Sequence, residues 1–107
     1  DATLAICKGW PKGQIPADFH EPVQSDLPVL LIAGEYDPAS PLELAEKAAR
    51  HLPNGALVRV VNRSHWGLRG NRCIRRLVST FLDKASVDDL DLSCASQFKR
   101  PPFELGK

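Results

Sequence analysis

Apolar positions along this chain fall into two strand-like runs and two helical ones, framed by segments with neither period. Val29 to Ala33 (VLLIA) is an unbroken run of β-branched and aliphatic residues. Runs of this kind mark strands buried on both faces, the habit of parallel sheets. Ser40-Pro41-Leu42-Glu43 then carries three helix-start signals. Ser40 suits the N-cap, Pro41 the first helical position, and Glu43 the capping-box position. Leu44, Ala45, Ala48, Ala49 and Leu52 recur at helical spacing and give one apolar face, and Pro53-Asn54-Gly55 ends the helix.

Ala56 to Val61 (ALVRVV) reads as a second strand, with Arg59 turning one face toward solvent. Asn62 to Asn71 reads as a loop. A second amphipathic helix runs from about Arg72 to Lys84 and buries Ile74, Leu77, Val78, Phe81 and Leu82. The order is therefore βαβα. A crossover of this size makes the two strands parallel and the connection right-handed. Outside this core, residues 1–28 contain Pro11, Pro16, Pro22 and Pro28, and only Ala2 to Cys7 suits the end of a helix. The expected organisation is an irregular lead-in over 1–28, a βαβα core over 29–86 and an irregular tail over 87–107 packed on the core.

Composition narrows the function classes. At 107 residues the chain holds one domain at most, and its hydrophobic share of 43% is that of a globular protein. A net charge of +1 gives no global field for nucleic acid or an anionic membrane. No apolar run approaches the ~20 residues a membrane helix needs, and no segment resembles a signal peptide. Methionine is absent, which leads to the expectation of a processed product or a piece of something longer. Arg59, Arg63, Arg69, Arg72, Arg75 and Arg76 form a local basic cluster. With few aromatics among them and Asp83, Asp88, Asp89 and Asp91 nearby, they read as a solvated face rather than a phosphate-binding one. His20 and His51 read as surface residues, and Trp10 and Trp66 as packing anchors. Three cysteines, Cys7, Cys73 and Cys94, allow one disulfide and a leftover thiol, or a partner outside the chain. Their spacing fits no zinc pattern, and no cofactor is expected.

The candidate chemistry lies in two loops. Parallel neighbouring strands put the loops after both strands on one sheet edge, where ligand sites of open α/β sheets collect. Asp37 lies in the first of these loops and His65, within NRSHWGL, in the second. Strands about 4.8 Å apart bring such loops close enough for a carboxylate to accept an imidazole N–H. That contact fixes the tautomer and stabilises the imidazolium during proton transfer. Taken separately, an Asp before Pro is most often a turn residue and a lone His a polar surface residue; their order and matched positions are what join them.

LPVLLIAGEYDPASPLELAEKAARHLPNGALVRVVNRSHWG resembles the C-terminal segment of α/β-hydrolases, and within them the tripeptidyl-aminopeptidase-like group related to proline iminopeptidases. CIRRLVSTFLDKASVDDLDLSCASQFKRPPF is similar to that family's last helix, L-D-x-S-C stretch and terminal P-P-F, and Cys7-Lys8-Gly9-Trp10-Pro11 to the segment leaving its cap region. Ser64 and Trp66 replace the usual glycines beside the histidine, leaving Gly67. The resemblance implies an α/β fold, a βαβα C-terminal fragment of the hydrolase with two parallel strands and flanking helices. It implies Asp37 as catalytic acid and His65 as catalytic histidine. It also implies a Cys73–Cys94 disulfide, preferred to a nucleophilic Cys73 at a helix start, with Cys7 left as the odd thiol. A secreted, periplasmic or envelope location follows from the same resemblance.

One element of the family pattern is absent. Ser25, Ser40, Ser64, Ser79, Ser86, Ser93 and Ser96 all lack the G-x-S-x-G context of a nucleophile elbow. Acid and base without a nucleophile do not carry acyl transfer, so the chain is expected to be inactive alone. The expected partners are the remaining part of the hydrolase, or further copies of this chain in a homo-oligomer. The alternative is a standalone, non-catalytic oligomeric module derived from a truncated hydrolase, binding a small ligand or protein. Nucleic acid and membrane are not expected partners.

Overall fold

The computed structural model describes residues 2–65 and 70–106. Trp66, Gly67 and Arg69, singled out above, lie outside the described residues. Strand β1 (Val29–Gly34) and strand β2 (Gly55–Val60) pair in parallel, with Val29 opposite Gly55 and Gly34 opposite Val60. Helix α2 (Leu42–Ala49) connects them, after a short helix α1 (Ala2–Lys8) in the lead-in, and helix α3 (Arg72–Lys84) follows β2. Among the described residues the result is a small α/β arrangement of two parallel strands and three α-helices.

Strand alternation divides the packing. Val58 and Val60 of β2 are buried with Ile74 and Leu77 of α3 and with Ala95, while Leu30, Ile32, Val78, Leu92 and Phe98 pack around them. Val58 and Val60 are flanked in sequence by Leu57 and Arg59, which point to the opposite face. There Leu57 is half-buried and Arg59 reaches solvent to pair with Glu35. Asn71 caps α3, its Oδ1 accepting the N–H of Cys73 at 2.8 Å, and Ala85 ends it in a left-handed conformation with φ 47°. The tail is less irregular than expected. Ser93–Ser96 form a 3-10 helix, Ala95 is buried, and the Cys73–Cys94 disulfide ties this turn to α3. Beyond Phe98 the tail is exposed through Gly106.

Several expectations are corrected. Strand β1 is not buried on both faces: Val29 to Ile32 are half-buried and only Ala33 and Gly34 are buried. The strand limits each shift by one residue from those expected: β1 runs on through Gly34, and β2 starts at Gly55 and ends at Val60. Val61 donates its N–H to Ala95 O at 3.1 Å and so leaves the ladder. Ser40 does not cap α2; Pro41 holds the cap position without a side-chain hydrogen bond. Ser40 belongs to the preceding turn, where Asp37 accepts the N–H groups of Ala39 and Ser40. Leu44 and Leu82, expected on buried faces, are 61% and 69% exposed, and Ala48 is exposed with them.

Leu44 and Ala48 line a groove of about 550 Å³ with Val23, Leu27 and Leu52, between the lead-in and α2. Leu82 rims a second one with Leu27, Pro28 and Phe81. The residues are apolar as expected, but the described chain supplies nothing to cover them. The Cα radius of gyration is 18.2 Å, against ~13 Å for a compact domain of this length. Among the described residues no helix is long and apolar enough to cross a membrane.

Candidate active site

Both strands deliver their loops to the same edge, and the first requirement there is room. A Cβ on Gly34 would lie 2.7 Å from the carbonyl oxygen of Arg63, so only glycine lets the loop after β2 pass this close to the end of β1. The two loops are then stitched together by backbone. Glu35 donates its N–H to Val60 O at 3.0 Å, one further rung of the parallel ladder, and Tyr36 donates to Arg63 O at 2.9 Å. The Glu35 carboxylate accepts the N–H of Asn62 at 2.8 Å and pairs with Arg59.

Asp37 follows in a tight turn, its own N–H donating to Gly34 O at 3.3 Å. Its Oδ1 accepts the N–H groups of Ala39 and Ser40, each at 2.9 Å. That leaves Oδ2 for the other loop, where it meets His65 Nδ1 at 2.8 Å. The Asp37 side chain is 4% exposed and that of His65 is 44% exposed. The structure therefore brings together the two residues that the sequence places at matched strand ends. One is a buried carboxylate held by three donors; the other is a histidine open to solvent on one side.

The electrostatics follow from these bonds. Burial by itself would raise the Asp37 carboxyl. The Ser40 N–H, the His65 ring and the Ala39 N–H together outweigh it and hold the carboxyl below its usual range. Asp37 is thus an acceptor that stays ionised, the state in which it can fix a histidine tautomer and stabilise an imidazolium. The Glu35 carboxyl is also lowered, first by the Asn62 N–H and then by Arg59, against its own burial.

Other singled-out residues lie elsewhere. Cys73 and Cys94 are joined to each other, so neither offers a thiolate, and Cys7 is an exposed free thiol on α1. His20 and His51 border the groove beside α2, and Trp10 is exposed rather than packed. In the basic cluster, Arg59 pairs with Glu35, Arg76 with Asp91 at 3.3 Å, and Arg63 stacks on the Phe98 ring at 4.8 Å. Among the described residues no three His, Cys, Asp or Glu side chains gather as a metal site.

Glu35, Asn62, Phe98 and Arg100 were not anticipated as part of this edge. Glu35 and Asn62 stand 27 residues apart in sequence, and no spacing rule connects them. A faint signal exists in Glu35 itself, a carboxylate at a strand end opposite the solvent-facing Arg59.

A family model described as TAP-like protein matches residues 1–94, most of the chain. The chain belongs to that family, a tripeptidyl-aminopeptidase-like group of α/β-hydrolases, and is a hydrolase-related domain. Neither curated proteins nor solved structures yield a match to it.

Proposed function

We propose, with that family membership as premise, that this chain is the C-terminal portion of a serine α/β-hydrolase of peptidase or esterase type. Its βαβα core, over 29–86, carries Asp37 as the acid and His65 as the base. The nucleophile comes from a segment other than these 107 residues, which contain no G-x-S-x-G. The observation that carries the reading is the 2.8 Å bond between His65 Nδ1 and the buried Asp37 carboxylate at the C-terminal edge of the sheet. With Nδ1 committed to Asp37, Nε2 is the ring nitrogen that takes the proton of an incoming serine hydroxyl as its oxygen attacks the carbonyl carbon. The same nitrogen then returns that proton to the leaving amine or alcohol. The Cys73–Cys94 disulfide supports a secreted or envelope location, because such bonds persist in oxidising compartments.

The test is complementation. The purified chain is incubated with p-nitrophenyl esters, aminoacyl amides and a fluorophosphonate probe, alone and with a hydrolase segment bearing G-x-S-x-G. Silence alone and turnover on addition are expected, with turnover abolished by His65→Ala and lowered ~10,000-fold by Asp37→Asn. Turnover that survives His65→Ala would refute the assignment. A second reading, a non-catalytic oligomeric module, draws on a different observation: Leu4, Ile6, Ile15, Phe19, Val23 and Leu27 are all exposed. Exposed apolar surface of this extent marks an association site.

A further inference from the structure

The histidine loop is held from behind by a device that neither the family match nor the acid–base pair explains. Its hub is Asn62, three residues before His65. Its backbone is left-handed, with φ 55°, a conformation asparagine tolerates better than most residues. Three bonds from two separate segments converge on it. Its N–H donates to Glu35 Oε2 at 2.8 Å, its Nδ2 donates to Phe98 O at 2.7 Å, and its Oδ1 accepts from Arg100 Nε at 3.0 Å. Each end of the side-chain amide is thus engaged by the tail, while its backbone is engaged by the loop that carries Asp37.

The neighbours of Asn62 repeat the pattern. Val61 donates its N–H to Ala95 O at 3.1 Å, and the Arg63 carbonyl accepts from Tyr36 at 2.9 Å. The Arg63 guanidinium lies over the Phe98 ring, and that of Arg100 lies 4.6 Å from the centre of the Tyr36 ring. Residues 61, 62 and 63 are therefore each anchored, partly to the tail and partly to the exit of β1. Hydrogen bonds weaken steeply with small displacements, so the 2.8 Å contact between His65 and Asp37 needs such a fixed approach.

We propose that Asn62 is a positioning residue for His65, acting by locking the histidine loop between Glu35 and the tail segment Phe98–Arg100. The assignment rests on the reading of Asp37 and His65 as a catalytic pair. Glycine at this position would satisfy the backbone but release both tail contacts. Aspartate would keep an acceptor for Arg100 but could not donate to Phe98 O.

The experiment reads the histidine directly, by imidazole-detected NMR of the full chain, and needs no nucleophile. In the unmodified chain the Nδ1 proton is expected to be retained and the Nδ1–H tautomer to dominate. Asn62→Gly, which keeps the left-handed backbone, is expected to speed exchange of that proton about tenfold, the loss of one to two hydrogen bonds, and to shift the tautomer toward Nε2–H. Asn62→Asp falls between the two, and Arg100→Ala, a change at an exposed side chain, moves both readouts in the same direction by a smaller factor. A merely structural role would lower the melting temperature and leave the tautomer where it was. A folded Asn62→Gly with unchanged exchange and tautomer would overturn the proposal. If that variant does not fold, an unmoved Arg100→Ala overturns it in its place. Absence of the Nδ1 proton from the unmodified chain would refute the pairing and this assignment together. Failed complementation, by contrast, would refute the hydrolase reading without touching this readout.

Discussion

The two sides of this molecule treat the same kind of residue in opposite ways. On the tail side, Val58 and Val60 of β2, Ile74 and Leu77 of α3 and Ala95 of the 3-10 turn bury one another. Val60 is fully buried, and a disulfide closes the unit. On the lead-in side, α1 has no buried residue, Ile15 and Phe19 are exposed, and Val23 and Leu27 lie exposed beside the exposed Leu44. A seven-residue helix without packing is marginal by itself. The difference teaches where the chain is self-sufficient. Its tail side completes a core and, through Val61 and Asn62, steadies the loop that carries His65. Its lead-in side leaves apolar surface exposed.

The sharpest way to break this comparison is to truncate one leucine on each side. Leu77 is 2% exposed in the core, and Leu77→Ala is expected to lower unfolding stability by about 2–5 kcal/mol. Leu44→Ala, on the open groove, is expected to stay within about 0.5 kcal/mol. Urea titrations at low protein concentration measure both. Equal losses would mean that the lead-in side is packed after all.

The next effect is read in association rather than folding. If the lead-in side is an interface, sedimentation should show concentration-dependent self-association, or binding to the complementing hydrolase segment. Val23→Asp with Leu27→Asp should weaken it at least about tenfold, since each buried apolar side chain contributes about 1.5–3 kcal/mol. Unchanged sedimentation and segment binding in the double variant would remove the lead-in from any interface.

The same division marks what the sequence could disclose. Asp37 and His65 were legible because parallel pairing is a local consequence of βαβ spacing, which puts both loop tips on one edge whatever else surrounds them. Helix α3 was legible at Ile74 and Leu77, whose helical period coincides with real burial. Leu44 and Leu82 were misjudged because apolar periodicity records that a face wants cover without telling which chain provides it. Ser40 was misjudged because the Asp37 carboxylate, accepting the N–H groups of Ala39 and Ser40, draws Ser40 into its own turn and leaves Pro41 at the cap position. Glu35 and Asn62 left no pattern because their contact is made by tertiary closure alone.

The smallest expected effect lies in acid. The carboxyls of Glu35 and Asp37, at the sheet edge, and of Asp91, in the tail, are all held below the usual range. For Asp91 the Ser93 side chain and N–H lead, with Arg76 adding to them. A carboxyl whose folded pKa is depressed contributes stability that is present above its unfolded value, about 3.9 for Asp and 4.3 for Glu. That contribution is lost as pH falls through the folded value. Melting temperature should therefore be insensitive to these groups above about pH 5 and should fall progressively below about pH 4. Asp37→Asn can still accept the N–H groups of Ala39 and Ser40, so the turn survives, but it no longer titrates. Its melting curve should fall less steeply with acid than that of the unmodified chain, and Glu35→Gln should act in the same sense. Identical acid limbs for all three would mean that the sheet-edge carboxylates are not held by the bonds that join the two loops.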